Sequence, residues 1–577
     1  MNIKQEHPQG KYGQKRRFDL INISIFIIIA IAFSTGLIGN HFREYIFLNS
    51  DAANISSFAA ALDQPEFFQK DPLLSNPANF NFYYTLHIPL IRLLGQWTGN
   101  YGSGFAVLIF PFVLLHLIGY YLLGNVFFKN KFWSLLFSLM VMVPVPLNLG
   151  EAWGLMHDVV PRFLFQALLP FLLTLVLHYG RRACHWPWLL ALTGCFVYIH
   201  PVSFPVWAVA VVLSLWVLGD QPWREKVSSL FFSGIVLGLV ILPFVINYLS
   251  STEFGSRDLA NYNFILNIMR IRFIPGFLDL NTGFQGFINT AITSHWVNLL
   301  VWGIFIFIVI VCALRIQRVS CDLYAMILIV WWLSVLLVSV IIPLMDHMIT
   351  AMLERFPLEV DLIRGLRYAI PLVLLSCFYF LLRIHDGHIK LRGNKEIPFR
   401  PLVTIIGIII FILWATRYNL FENQAFVQTA NCWGEGQLTC DVPDEELVDQ
   451  RINVLNAIKE LTPQDAGILG TDFSDLAIRY YTQRSLIYSY KDGGAFIYAN
   501  HKNLMQWYEQ FELMNEIEKS KQDRGLFLEG LIDFAQLNQG DFILLHKEES
   551  WLDNYLPGGV ELIYSNPTYE LLKIMDK

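Results

Sequence analysis

Three carboxylates, Asp51, Asp63 and Asp71, fall within the short stretch SDAANISSFAAALDQPEFFQKDP (residues 50–72), and a fourth, Asp158, stands beside His157 in EAWGLMHDVVPR (Glu151 to Arg162). Arginines are spaced to act together: Arg364 and Arg367 are three apart in DLIRGLRYAIP, Arg162 opens an apolar run, and Arg270 and Arg272 lie in a long connecting segment. A positioned carboxylate can accept the proton of an attacking hydroxyl. A guanidinium presents a planar fork that engages two oxygens of a phosphate at once. His200, in YIHPVSFP, can bind substrate or support a carboxylate.

Each of these residues also has a plainer reading. Asp51 precedes Ile55, Phe58 and Leu62, which repeat at helical spacing, so it is placed to cap an amphipathic helix lying along a membrane face. Asp63 and Asp71 sit near prolines and read as loop-end residues. Arginines flanking apolar runs snorkel toward lipid headgroups, and a histidine beside a helix-breaking proline is commonly a structural hydrogen-bonding group. In RYYTQRSLIYSYKDGG (Arg479 to Gly494), aromatics and arginines suit sugar or acceptor binding, but a strand and turn explain them better.

The elements that must position these residues are set by composition. The chain has 577 residues, 55% of them hydrophobic and only 15% charged, too few charges to cover a soluble globule of that size. Leu20 to Gly39 is an apolar run too long for a cleaved signal and reads as a retained anchor. Further runs of bilayer length lie at 104–124, 131–149, 163–179, 228–249, 296–314, 322–345, 367–383 and 399–417, and a proline-broken run between Trp186 and Asp220 reads as a tight hairpin of two. The expected fold is thus a polytopic α-helical membrane protein of about eleven spans. Phe80 to Trp97, with His87, Pro89 and Arg92, reads as an interfacial or re-entrant helix.

Basic residues orient the chain. With a cytoplasmic N-terminal tail (1–19), the inner segments hold 18 Lys and Arg in 66 residues, and the outer ones, counted over 41–103, 150–162, 201–205, 250–295 and 346–367, hold 10 in 149. The bias predicts an N-terminus inside and outer loops at 41–103, 150–162, 250–295 and 346–366. Residues 20–417 form the membrane domain. Residues 418–577 carry a net charge of −14 against +8 for the rest, and alternate strand and helix signals, which predicts a small C-terminal extracytoplasmic α/β domain. Of seven cysteines, Cys432 and Cys440 stand eight apart at its start, a plausible disulfide in an oxidising compartment, with two free thiols as the alternative. No spacing suggests a zinc site, a phosphate-binding glycine loop or a nucleic-acid motif.

An acid early in the first outer loop, an interfacial helix, about eleven spans and a soluble outer C-terminal domain together resemble the GT-C class of membrane glycosyltransferases, such as protein mannosyltransferases and lipid A aminoarabinose transferases. Those families often carry adjacent acids in this loop, where SDAAN has one. The resemblance implies transfer of a sugar from a polyprenyl-phosphate-linked donor to a glycan, lipid or protein acceptor on the outer face. It implies Asp51 as the proton-accepting residue with Asp158 as the second candidate, and Arg162, Arg364, Arg367, Arg270, Arg272, His200 and His157 for the substrate and its phosphate. No cofactor is implied outright; a divalent cation enters if the donor is a diphosphate. The partners are then the lipid donor, the acceptor and membrane lipids, with no nucleic acid, in the plasma (inner) membrane. A transporter or flippase, a polysaccharide polymerase or ligase, and a non-catalytic membrane scaffold are the competing readings. Few charges inside the apolar runs and no evident repeat speak against transport.

Overall fold

The computed structural model describes residues 21–35, 48, 50–147, 152–155, 159–250, 262–272, 279–315, 322–353, 361–385, 399–417, 431, 433–436, 445–471, 475–548, 551 and 556–575. Cys432 and Cys440 lie outside them, as do His157 and Asp158. Among the described residues Cys184, Cys195 and Cys377 are free thiols.

The membrane part runs α1 (Ile21–Thr35), α2 (Ser50–Asp63), α3 (His87–Thr98), α4 (Ser103–Phe128) and α5 (Lys131–Val141). A two-strand ribbon, β1 (Val145–Pro146) and β2 (Ala152–Trp153), leads to α6 (Pro161–Tyr179), α7 (Trp186–Cys195), α8 (Phe204–Leu218) and α9 (Trp223–Ser250). There follow α10 (Tyr262–Arg272), α11 (Leu280–Phe287), α12 (Trp296–Arg315), α13 (Leu323–Leu336), α14 (Ile342–Leu353), a 3-10 turn (Leu362–Tyr368), α15 (Ala369–His385) and α16 (Phe399–Arg417). The chain is mostly helical, consistent with a helical membrane protein.

Among the described residues five helices are long and apolar enough to cross a bilayer, or six if the pair Leu280–Thr293 and Trp296–Phe307, bent by 98°, is one span. Every run expected to span is helical, yet several are short. α5 and α7 have 11 and 10 residues, about 15 Å of rise against a hydrocarbon core of about 30 Å. The 131–149 run is cut at Val141 because the chain turns into the β ribbon. Gly154, directly after β2, has φ +94 and lies against that turn: a Cβ there would be 2.4 Å from the Val143 carbonyl oxygen. Gly154→Ala is expected to lower stability by about 1–3 kcal/mol, read as a fall in Tm of the detergent-solubilised protein; an unchanged Tm would show that the ribbon relaxes freely.

The C-terminal part comprises α17 (Glu445–Leu461), β3 (Gly467–Gly470), α18 (Ala477–Tyr480), β4 (Ser485–Leu486), α19 (Asp492–Ala499), α20 (His501–Lys519), α21 (Arg524–Leu537), β5 (Phe542–His546), β6 (Val560–Ser565) and β7 (Tyr569–Ile574). Its sheet has the order β4-β3-β5-β7-β6, with β3 parallel to β4 and β5 and the last three strands antiparallel. The parallel neighbours are joined through helices, as parallel pairing requires. The stretch read as a strand and turn differs: only Ser485–Leu486 is strand, and Asp492-Gly-Gly opens α19.

The first loop is not laid along a membrane face. In α2, Ala52, Ala53, Ile55, Phe58, Ala59 and Ala60 are all buried, because one side packs on α3 and the other on α18. Ala53 belongs to the core of the C-terminal sheet, and Phe58 to the core shared with the membrane helices. The helical spacing was real, but apolar and small residues cover both faces, which suits a sandwiched helix rather than an amphipathic one.

Candidate functional site: a cluster of cations at the tail-side end of the helices

Asp63 and Asp71, expected as loop ends, are structural. Asp63 accepts from Arg92 Nε at 2.7 Å and from the Tyr101 hydroxyl at 3.0 Å, clasping α3 to α2. Asp71 is fully buried and accepts from Arg479 Nε at 2.6 Å, while the other side of the same guanidinium donates to both oxygens of Asp492 at 2.7 Å. The Leu73, Leu74 and Leu486 backbone N–H groups complete the Asp71 shell. Arg484, the second arginine of that stretch, donates to the Lys459, Thr462 and Thr482 carbonyls. Neither arginine is turned toward a ligand.

Arg162, Arg364 and Arg367 lie on neighbouring elements. Arg364 and Arg367 sit on the 3-10 turn Leu362–Tyr368, whose three-residue period stacks positions i and i+3. Arg367 is fully buried, and its Nε donates to the Arg364 carbonyl at 3.0 Å. Between them Gly365 allows the close approach: a Cβ there would lie 2.2 Å from Ser339 Oγ and 2.9 Å from Val206. Arg162 is the second residue of α6, where Pro161 starts the helix without needing a backbone donor. His200 occupies the α7–α8 turn, held there because Leu86 N–H donates to the Tyr198 carbonyl at 2.7 Å and Thr85 Oγ1 to the Ile199 carbonyl at 3.1 Å.

Arg367, Arg162, Arg364 and His87 all lie near enough to act electrostatically on His200, whose ring they and, above all, burial hold well below the ordinary histidine value. His87, the first residue of α3, is buried 3.0 Å from the Val159 carbonyl, and burial lowers it to about 4. Both rings are neutral at pH 7. Four elements distant in sequence therefore share one electrostatic neighbourhood, and the Phe165 ring of α6 lies 6.3 Å from His200 and 6.2 Å from Tyr368 of the 3-10 turn. A floor of aromatic rings supports them: Tyr368 packs on Trp153 at 5.6 Å and Trp207 at 5.3 Å.

Asp361 belongs to this cluster and escaped the sequence reading. It stands 3.3 Å from Arg364 and accepts the Tyr498 hydroxyl of α19 at 2.9 Å, so the C-terminal part touches the site. The signal was present, an acid three residues before Arg364, but its partner Tyr498 is 137 residues away.

The remaining candidates fall elsewhere. Asp51 lies half-buried in the first turn of α2, inside the helix rather than at its cap, where a carboxylate also favours the positive end of the dipole. Arg270 is exposed on α10, 3.4 Å from Asn267, on a helix that packs against α19 and α20; the side chain of Arg272 lies outside the described residues. Asp158 and His157 also lie outside them, although the next residue, Val159, is the one bonded to His87. Among the described residues no group of three or more His, Cys, Asp or Glu is placed to hold a metal ion. No family pattern and no curated protein sequence matches the chain.

Proposed function

We propose that the chain is an integral membrane glycosyltransferase that takes a sugar from a polyprenyl-phosphate-linked donor and passes it to a glycan, lipid or protein acceptor on the outer face of the membrane. The observation that supports this reading is the convergence of Arg162, Arg364 and Arg367 around His200 at the end of the helices that meets the C-terminal part. A leaving phosphate needs fixed donors where its charge develops, and guanidinium groups of α6 and of the 3-10 turn would supply them here.

In this reading the membrane part spans about eleven times with the N-terminus inside, the short helices α5 and α7 counted among the crossings. The C-terminal α/β domain lies outside and covers the cluster. The guanidinium groups hold the phosphate of the donor, and Asp51 or Asp158 accepts the acceptor's proton. A monophosphate donor is served by the arginines alone, whereas a diphosphate would add a divalent cation.

Mass spectrometry of surface glycolipids, polysaccharides and glycoproteins from cells lacking the protein tests the reading. A sugar should disappear on deletion, return with the wild type, and fail to return with whichever of Asp51→Asn and Asp158→Asn removes the base. An unchanged glycan profile on deletion would exclude transfer, and full restoration by both variants would exclude these carboxylates.

A further inference from the structure

At the end of the helices away from the C-terminal part, two turns are held together. α6 runs about 27 Å from Pro161 to Tyr179, and the turn after it (180–185) meets the turn after α8 (219–222). The Arg181 carbonyl accepts from the Asp220 N–H at 3.3 Å and from Gln221 Nε2 at 2.9 Å. Trp186 is buried between the turns: its Nε1 donates to the Gly180 carbonyl at 2.6 Å, and a Cβ on Gly219 would lie 2.7 Å from its ring. Local backbone needs are thus met without the side chains of Arg181 and Arg182, which are exposed, as is Arg224 at the start of α9.

This end carries an excess of positive charge. Arg181, Arg182, Arg224 and Lys226 stand against Asp220 and Glu225. Lys226 Nζ donates to the Trp216 carbonyl at 3.0 Å, and the Arg224 guanidinium rests 5.7 Å from the centre of the Trp223 ring. Arg181, Arg182 and Arg224 make no ion pair among the described residues, which here run unbroken from 159 to 250. Around them Tyr179, Trp188, Trp216 and Trp223 are exposed, as aromatic rings at the headgroup level of a bilayer are.

Deeper in, α9 forms an apolar wall. Of its 28 residues only Ser233 is fully buried, and Phe231, Ile235, Gly238 and Leu242 continue the helix face of Arg224 as an exposed strip. A Cβ on Gly234 or Gly238 would meet nothing within 4 Å, so the strip carries a notch. Gly234 lies about 15 Å along the helix from Arg224, the depth of one leaflet of the hydrocarbon core.

We infer that this end of α6–α9 is a seat for an anionic phospholipid of the leaflet facing away from the C-terminal part: Arg181, Arg182 and Arg224 hold its phosphate head, and an acyl chain lies along the Arg224 face of α9 to the glycine notch. Charge complementarity selects this occupant. A second copy packed on the same strip by two-fold symmetry would bring Arg224 up against its own copy, whereas an anionic lipid neutralises it. The inference is independent of the reaction proposed at the other end of the helices.

Native mass spectrometry of the detergent-solubilised full-length protein, titrated with dioleoyl phosphatidylglycerol and with dioleoyl phosphatidylcholine, separates charge from tails, since the two lipids share their acyl chains. The wild type should bind its first phosphatidylglycerol at least about tenfold more tightly, a guanidinium beside an anionic head being worth about fivefold. The variant combining Arg181→Gln, Arg182→Gln and Arg224→Gln should bind the two lipids about equally. Equal binding of both lipids by the wild type, or a preference that survives in the triple variant, overturns the proposal. Displacement of phosphatidylglycerol by millimolar inorganic phosphate also overturns it, in favour of a free-anion site. A wild type that is dimeric and takes no lipid assigns the strip to a second copy instead. The wild-type ratio decides the matter even if the variant fails to fold.

Discussion

Arg479→Met is expected to be the most damaging single change outside the cation cluster, lowering stability by about 3–5 kcal/mol, because it leaves two buried carboxylates facing each other without their shared cation. Asp71, Arg479 and Asp492 are essentially fully buried, and the neighbouring carboxylates hold the guanidinium firmly in its charged form against the cost of burial. The triad ties the first loop to the start of α19. Nearby, Ser485 Oγ donates to the Phe67 carbonyl and the Lys70 ammonium meets Asp541 at 2.6 Å, a partly exposed and weaker pair. Thermal unfolding of the solubilised protein should show a Tm lower by several degrees, with earlier proteolysis of the C-terminal part. A Tm equal to that of the wild type would mean that the triad contributes nothing net. Because α19 carries both Asp492 and Tyr498, and Tyr498 donates to Asp361 beside Arg364, the surviving fraction of this variant should also bind anions less well.

Arg367→Ala is expected to reduce sugar transfer by roughly 100-fold, the scale on which removal of one charge-stabilising donor acts in a water-poor site. Arg367→Lys should recover part of the loss, since it restores the charge but not the planar fork. The pair separates function from folding: both variants lose the Nε donation to the Arg364 carbonyl, so a purely structural role would leave them equally impaired. Equal activity of the alanine and lysine variants, or wild-type activity in either, would remove Arg367 from the phosphate's surroundings.

What the sequence displayed best was apolar length and the points where it breaks. The helix-breaking His200-Pro201 and Pro205 do mark the junction of α7 and α8, and the run that Arg162 opens is α6. The spacing of Arg364 and Arg367 indicated a shared face, and a 3-10 turn delivers it more directly than an α-helix would. Short local patterns of this kind survive folding because each is decided by a few neighbouring residues.

The missed features are the ones that depend on distant partners. Asp71 looked like a loop end because its cation lies 408 residues away. Arg479, in a stretch that read as a strand and turn with a ligand surface as the lesser alternative, is instead buried between two carboxylates. α2 carried helical spacing, but no local signal told that a C-terminal sheet would cover its second face. β7, which begins two residues after Pro567 and pairs with both β5 and β6, and α21 were likewise invisible to the reading of alternation, since burial on both faces of β7 erases the period-two pattern.

The most direct test of the phosphate site is a binding comparison between a polyprenyl monophosphate and the polyprenol of the same chain length, on the purified full-length protein and on Arg367→Gln. The account predicts that the wild type binds the phosphate at least about tenfold more tightly than the alcohol, as one charged hydrogen-bonded contact requires, and that Arg367→Gln erases most of this difference while its Tm stays within reach of the wild type. Equal binding of phosphate and alcohol by the wild type would contradict it.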